Sequence, residues 1–134
     1  MRADLHHVHL FASNLDATIA WWCDMLNGEV AYDGDFGGAR NVFMRVGCGR
    51  LHLYEQQPRG PAGGAVHHVG IQCQDLKNIV ARMAAKGVSF RSEVREFGNW
   101  RYIMCAAPDG VLLELFEIDV EQMPSALAEY FRQG

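Results

Sequence analysis

The sequence predicts an α+β fold: two βαβββ modules forming a curved mixed sheet with a concave, metal- or ligand-binding face. Three observations carry this expectation. First, Leu5-His6-His7-Val8-His9-Leu10 returns as Val66-His67-His68-Val69-Gly70-Ile71, an offset of 61 residues (67 − 6) in a chain of 134. The echo continues, with Asn14-Leu15 matching Asp75-Leu76 and Ile19-Ala20 matching Val80-Ala81. A repeat of this kind is one supersecondary unit used twice. Second, each copy opens on an alternating apolar stretch, passes through apolar residues at helical spacing, and returns to alternation. Third, Pro58, Gly60, Pro61, Gly63 and Gly64 mark a linker at about 58–65, where the repeat places a boundary.

The elements follow in order. Residues 5–12 alternate and are rich in Leu, Val and Phe, so they read as a strand. Ser13 or Asn14 supplies a helix N-cap. Leu15, Ile19, Trp22, Cys23 and Leu26 then fall at helical spacing, and Asn27-Gly28 ends the helix. Trp21 and Trp22 cannot both face the core from one helix, so one is expected to line a subunit contact. A strand starts at 30–32, and the stretch 33–38, with its glycines and aspartates, reads as a loop. Strands at 41–46 and 50–55 flank a turn at Gly47-Cys48-Gly49. Module one thus covers about 5–57. Module two, about 66–118, repeats the pattern: a strand at 66–73, a helix capped by Asp75, running to about Lys86 and stopped by Gly87, and strands at 88–94, 100–105 and 111–118. Turns are expected at 96–99 and at Ala107-Pro108-Asp109-Gly110. An amphipathic helix within about 120–132 completes a single domain over 1–134. One βαβββ unit cannot bury both faces of its sheet, so two must pair, and a concave face is where a ligand would sit.

Composition narrows the function. Hydrophobic residues are 49% and charged residues 21%, as in ordinary soluble domains. The net charge of −4, with no basic run, argues against nucleic acid and anionic membrane as partners and leaves a small molecule. Cys23, Cys48, Cys73 and Cys105 form no C-x-x-C pair and read as reduced core thiols of an intracellular, cytoplasmic protein. Neither a leader nor an apolar run of about 18 residues is present, so no signal peptide or membrane span is expected.

The candidate chemistry lies in the repeat. His7 and His68 hold equivalent places, and His52-Leu53-Tyr54-Glu55 matches Glu114-Leu115-Phe116-Glu117. Residues two apart on a strand share a face, so His6 and His67 are expected to point away from the side used by His7 and His68. Around a pseudo-twofold axis His7, His52, His68 and Glu114 can converge from four strands. Three imidazoles and one carboxylate suit one divalent transition metal (Zn, Fe(II), Ni, Co or Mn) better than Ca or Mg. His9 shares parity with His7, and Tyr54 with His52, so both are candidate substrate contacts. Arg101, with Arg40 and Arg45, can hold a carboxylate or phosphate of a substrate. Glu55 and Glu117 have the opposite parity and read as surface carboxylates.

On these residues the chain resembles the vicinal oxygen chelate superfamily of glyoxalases, epimerases, fosfomycin-resistance proteins, extradiol dioxygenases and bleomycin-resistance proteins. The match rests on His7-Val8-His9-Leu10, Asn14-Leu15-Asp16, Trp21-Trp22 and Leu26. In the second half it rests on His68-Val69-Gly70-Ile71, Asp75-Leu76, and Pro108-Asp109-Gly110 with Glu114-Leu115. The resemblance covers about residues 5–118. It implies metal ligation by His7, His68 and Glu114, with His52 where glyoxalases and epimerases carry Glu or Gln. It further implies Glu114 as the catalytic base and pairing of chains as homodimers. The expected function is a metal-dependent lyase, isomerase or epimerase of glyoxalase type, acting on a small oxygen-chelating substrate. An extradiol-type dioxygenase and a non-enzymatic, bleomycin-resistance-like drug-binding protein are the alternatives.

Overall fold

A computed structural model describes residues 5–36, 38–58 and 66–132. The chain divides into two compact units, Met1–Ala62 and Gly63–Gly134. All of the expected linker except Pro58 lies outside the described residues.

The first unit runs β1 (Val8–Ala12), α1 (Leu15–Leu26), β2 (Glu29–Phe36), β3 (Ala39–Val46) and β4 (Gly49–Glu55). Its strands lie in the order β1-β4-β3-β2, with β1 parallel to β4 and the other neighbours antiparallel. Asn14 starts α1: its Oδ1 accepts from the Ala17 N–H at 3.0 Å, meeting one of the donors a helix start leaves without a partner. Asn27, in the left-handed region (φ 53°), ends it. Leu15, Thr18, Trp22 and Met25 are buried, three or four residues apart. The matching face of the sheet is the buried alternation Val42, Met44, Leu51 and Leu53. Gly28 sits at the tightest point of this packing. A Cβ there would lie 3.0 Å from both Met44 Cε and the Trp22 carbonyl oxygen. Of the tryptophan pair, Trp22 enters the core and Trp21 is half-buried against it, ring centroids 5.5 Å apart.

Residues 33–36 are strand, not the loop expected from their composition. Asp33 pairs with Val42, Gly34 with Asn41, Asp35 with Arg40 and Phe36 with Ala39. As the outermost strand of the sheet, β2 tolerates aspartate and glycine that a buried strand would exclude.

The second unit repeats this plan with β5 (Val69–Gln72), α2 (Leu76–Ala85), β6 (Arg95–Phe97), β7 (Trp100–Ala106) and β8 (Leu112–Ile118), ordered β5-β8-β7-β6. Leu76 and Met83 of α2 are buried, as are Ile103, Cys105, Leu113 and Leu115 on one face of the sheet. The strand expected at 88–94 is absent. Those residues are irregular, and β6 forms instead at Arg95–Phe97, where a turn was expected. The cause is the hairpin: Phe97 pairs with Trp100 across Gly98-Asn99, and Gly98 (φ 59°) supplies the left-handed residue such a tight turn needs. A last helix, α3 (Ser125–Phe131), lies against the other face of this sheet. Its Phe131 ring meets Trp100 and Phe116 at centroid distances of 5.2 and 6.0 Å. Gln72 Nε2 donates to the Phe131 carbonyl at 2.9 Å.

Candidate metal centre

In each unit the helix covers one face of the sheet, and the candidate ligands belong to the other. In the first unit, His9 and Phe43 flank His52 in register, and Phe11 and Asn41 flank Tyr54. Leu51 and Leu53 face the helix, so His52 and Tyr54 do not. The His52 ring is half-buried. It stacks on Phe43 (centroids 4.4 Å apart, planes 5° apart), lies 4.2 Å from the His9 ring and 5.8 Å from the His7 ring. Its Nε2 is 2.6 Å from Asn41 Oδ1. Burial, followed by the neighbouring charges that His9 and His7 would carry, holds the His52 pKa below the usual histidine value. His52 is therefore neutral near pH 7, the form a metal ligand needs.

In the second unit, Glu114 on β8 sits beside Gly70 on β5 and Met104 on β7. His68 precedes β5, and its Nε2 is 3.7 Å from Glu114 Oε2. Gly70 itself brings no side chain beside Glu114, and the Phe116 ring borders that position, 3.4 Å from where a Gly70 Cβ would lie. Trp100, Tyr102 and Phe116 continue the same face toward α3.

The adjacent histidines depart from expectation. His6 and His7 meet through their Nδ1 atoms at 3.0 Å, and His67 and His68 through theirs at 2.7 Å. They do not point apart because β1 begins at Val8 and β5 at Val69, leaving both pairs ahead of the strands. With its Nδ1 turned to His67, His68 directs Nε2 toward Glu114.

Other expected residues are placed as follows. His9 and Tyr54 are on the His52 face, with ring centroids 6.3 Å apart. Arg101 does not join Glu114. The β7–β8 register sets it opposite Glu117, and its guanidinium is 3.3 Å from that carboxylate, on the α2 side of the sheet. Arg40 binds Asp16 and Asp33 at 2.7 and 2.8 Å, tying α1 to the β2–β3 hairpin; Arg40 in turn holds the Asp33 carboxyl below the usual range. Asn41 is a site residue that the sequence pattern did not single out. The signal was available: the two-residue turn at Gly47-Cys48 sets Phe43 opposite His52 and Asn41 two residues farther along the same face.

The four donors fall two to each unit. Among the described residues, no three His, Cys, Asp or Glu groups converge closely enough to hold an ion. The donor chemistry itself, imidazole nitrogen with one carboxylate oxygen, fits a divalent transition metal.

Comparison with known proteins is consistent with this architecture. The family model described as the Glyoxalase/Bleomycin resistance protein/Dioxygenase superfamily matches residues 4–115. The chain belongs to that superfamily. No curated protein matches the chain. Among solved structures, it is similar to the fosfomycin resistance protein FosX from Listeria monocytogenes, with 22% identity, TM-score 0.76, and 90% of this chain and 98% of that chain covered. A mutant of that protein, in complex with Mn(II) and a dihydroxypropylphosphonic acid, gives 23% identity and TM-score 0.75, covering 91% and 97%. A lactoylglutathione lyase from Agrobacterium tumefaciens gives 21% identity and TM-score 0.62, covering 87% and 94%. At these identities the likeness shows a shared fold.

Proposed function

We propose that the protein is a divalent-metal-dependent enzyme of glyoxalase type that moves a proton on a small substrate chelating the metal through two oxygens. The main support is the His68–Glu114 pair. An imidazole Nε2 and a carboxylate Oε2 lie 3.7 Å apart, beside Gly70, which brings no side chain of its own. His7, His52, His68 and Glu114 are the residues that would hold the ion. A bound divalent ion supplies Lewis-acid charge to the substrate oxygens. Glu114 turns Oε2 toward His68, and its Oε1 takes a proton from the carbon next to the chelating oxygens and returns it. His9 and Tyr54, on the His52 face, contact the substrate body. A binding of Mn(II) by the similar fosfomycin resistance protein supports metal dependence here.

One observation favours a second reading, an extradiol-type dioxygenase using Fe(II). Phe43, Tyr54, Tyr102 and Phe116 line the faces that carry the donors, and aromatic rings suit an aromatic diol.

Both readings stand on metal content. Mass spectrometry of the purified protein should find one metal per chain, lost in His68→Ala. A wild type that stays metal-free after incubation with Zn, Fe(II), Ni, Co and Mn sinks both and leaves drug binding in an aromatic cleft.

A further inference from the structure

We infer that Asn41 is a positioning residue: it holds His52 in the Nε2–H tautomer and so makes Nδ1 the nitrogen offered to the metal. This rests on the reading of His52 as a ligand. The tautomer follows from the amide's orientation. Asn41 Nδ2 donates to the Ala39 carbonyl at 3.0 Å, which turns Oδ1 toward His52 Nε2 at 2.6 Å. With the amide flipped, an oxygen would face the Ala39 carbonyl and an NH2 group would face the ring. An amide oxygen is an acceptor only, so Nε2 must carry the hydrogen and Nδ1 the lone pair.

Two features keep the arrangement in place. Asn41 is 4% exposed and anchored to the Ala39 carbonyl, so its amide has little freedom to turn away from the ring. Phe43 stacks nearly parallel on the imidazole, which resists rotation of the ring. The same β3–β4 register delivers both, setting Phe43 opposite His52 and Asn41 opposite Tyr54. His52 would therefore reach the ion through Nδ1, with its tautomer set by a residue outside the ligand set.

Long-range proton–nitrogen NMR of the metal-free protein reads the tautomer directly. A protonated Nε2 and a lone-pair Nδ1 on His52 are expected; the reverse assignment overturns the inference with no variant needed. Asn41→Leu removes the acceptor. It should give a mixture of tautomers and weaken zinc(II) binding, measured by calorimetry, by ~10- to 100-fold, the usual cost of losing a residue that orients a ligand. Asn41→Asp, which keeps an oxygen for Nε2–H, should keep the wild-type assignment. Zinc affinity unchanged in Asn41→Leu but reduced in His52→Ala overturns the positioning role. If wild type and His52→Ala bind zinc equally, the ligand role of His52 fails and the metal half of the inference with it. The spectrum then still decides the tautomer.

Discussion

His7 and His9 sit two residues apart, yet the structure uses them differently: His9 is inside β1 with its ring 4.2 Å from His52, whereas His7 precedes the strand and engages His6. Position relative to the strand start matters as much as residue type. The cysteines make the same point. Cys73 and Cys105 are buried core thiols, and burial pushes both pKa values to about 11. Cys48 is exposed in the β3–β4 turn and Cys23 is half-buried, so not all four are core residues. A thiol reacts through its thiolate, which burial disfavours. Maleimide at pH 7 should therefore modify Cys48 in the folded protein and reach Cys73 and Cys105 only after denaturation. Peptide mass spectrometry checks this, and equal labelling of Cys48 and Cys105 in the native state would contradict it.

At the scale of elements, the repeat carries a device beyond the ligands. Glu55 and Glu117, which the parity pattern marks as surface carboxylates, each reach the start of a helix. Glu117 accepts from the Asp75 and Leu76 N–H groups at 3.3 and 3.2 Å; Glu55 accepts from the Leu15 N–H at 3.4 Å. A carboxylate from the last strand of each module thus meets the positive end of that module's helix. α2 depends on it more. Asn14 caps α1 with its own side chain, whereas Asp75 is held at φ 62° and makes no side-chain cap hydrogen bond. Glu117→Ala should lower unfolding free energy by about 1 kcal/mol, the typical value of a helix cap. Glu55→Ala should cost less, since Asn14 remains. Urea titrations of the two variants measure the difference, and a larger loss in Glu55→Ala would refute the assignment.

For the whole molecule, the division of the donors is the central fact. His7 and His52 belong to one unit, His68 and Glu114 to the other. Each unit alone offers two donors, and an ion held by the proposed set needs a contribution from both. Under the homodimer expectation, the second half of each site can come from the same chain or from a second copy, and complementation separates the two. Suppose the second copy supplies it. A mixture of His7→Ala and His68→Ala chains, unfolded and refolded together, then regains metal binding. Random pairing makes half of the dimers mixed, each with one intact site of two, so about a quarter of wild-type binding is expected. A site completed within one chain regains none. Light scattering should give the assembly twice the 15.0 kDa chain mass.

Much of this was legible in the sequence because the period of side chains along a strand is a local property. The 61-residue echo, the α1 span with its Asn14 cap and Asn27 stop, and the face shared by His52 and Tyr54 all follow from spacing over a few residues. Strand boundaries did not follow. β2 extends through an aspartate- and glycine-rich stretch because β3 pairs with it, and β6 starts late because the Gly98-Asn99 turn sets its register. Both outcomes depend on a partner strand that local composition does not describe. The same is true of the contacts that distinguish the site. The Asn41–His52 hydrogen bond, the meeting of His6 with His7, the reach of Glu117 to α2 and the diversion of Arg101 to Glu117 are all settled by neighbours distant in sequence or by where a strand begins. Sequence alone determined which residue types could ligate and on which face they lie. Tertiary structure decided which atoms meet, because hydrogen bonds depend on distance and direction between elements and not on spacing along the chain.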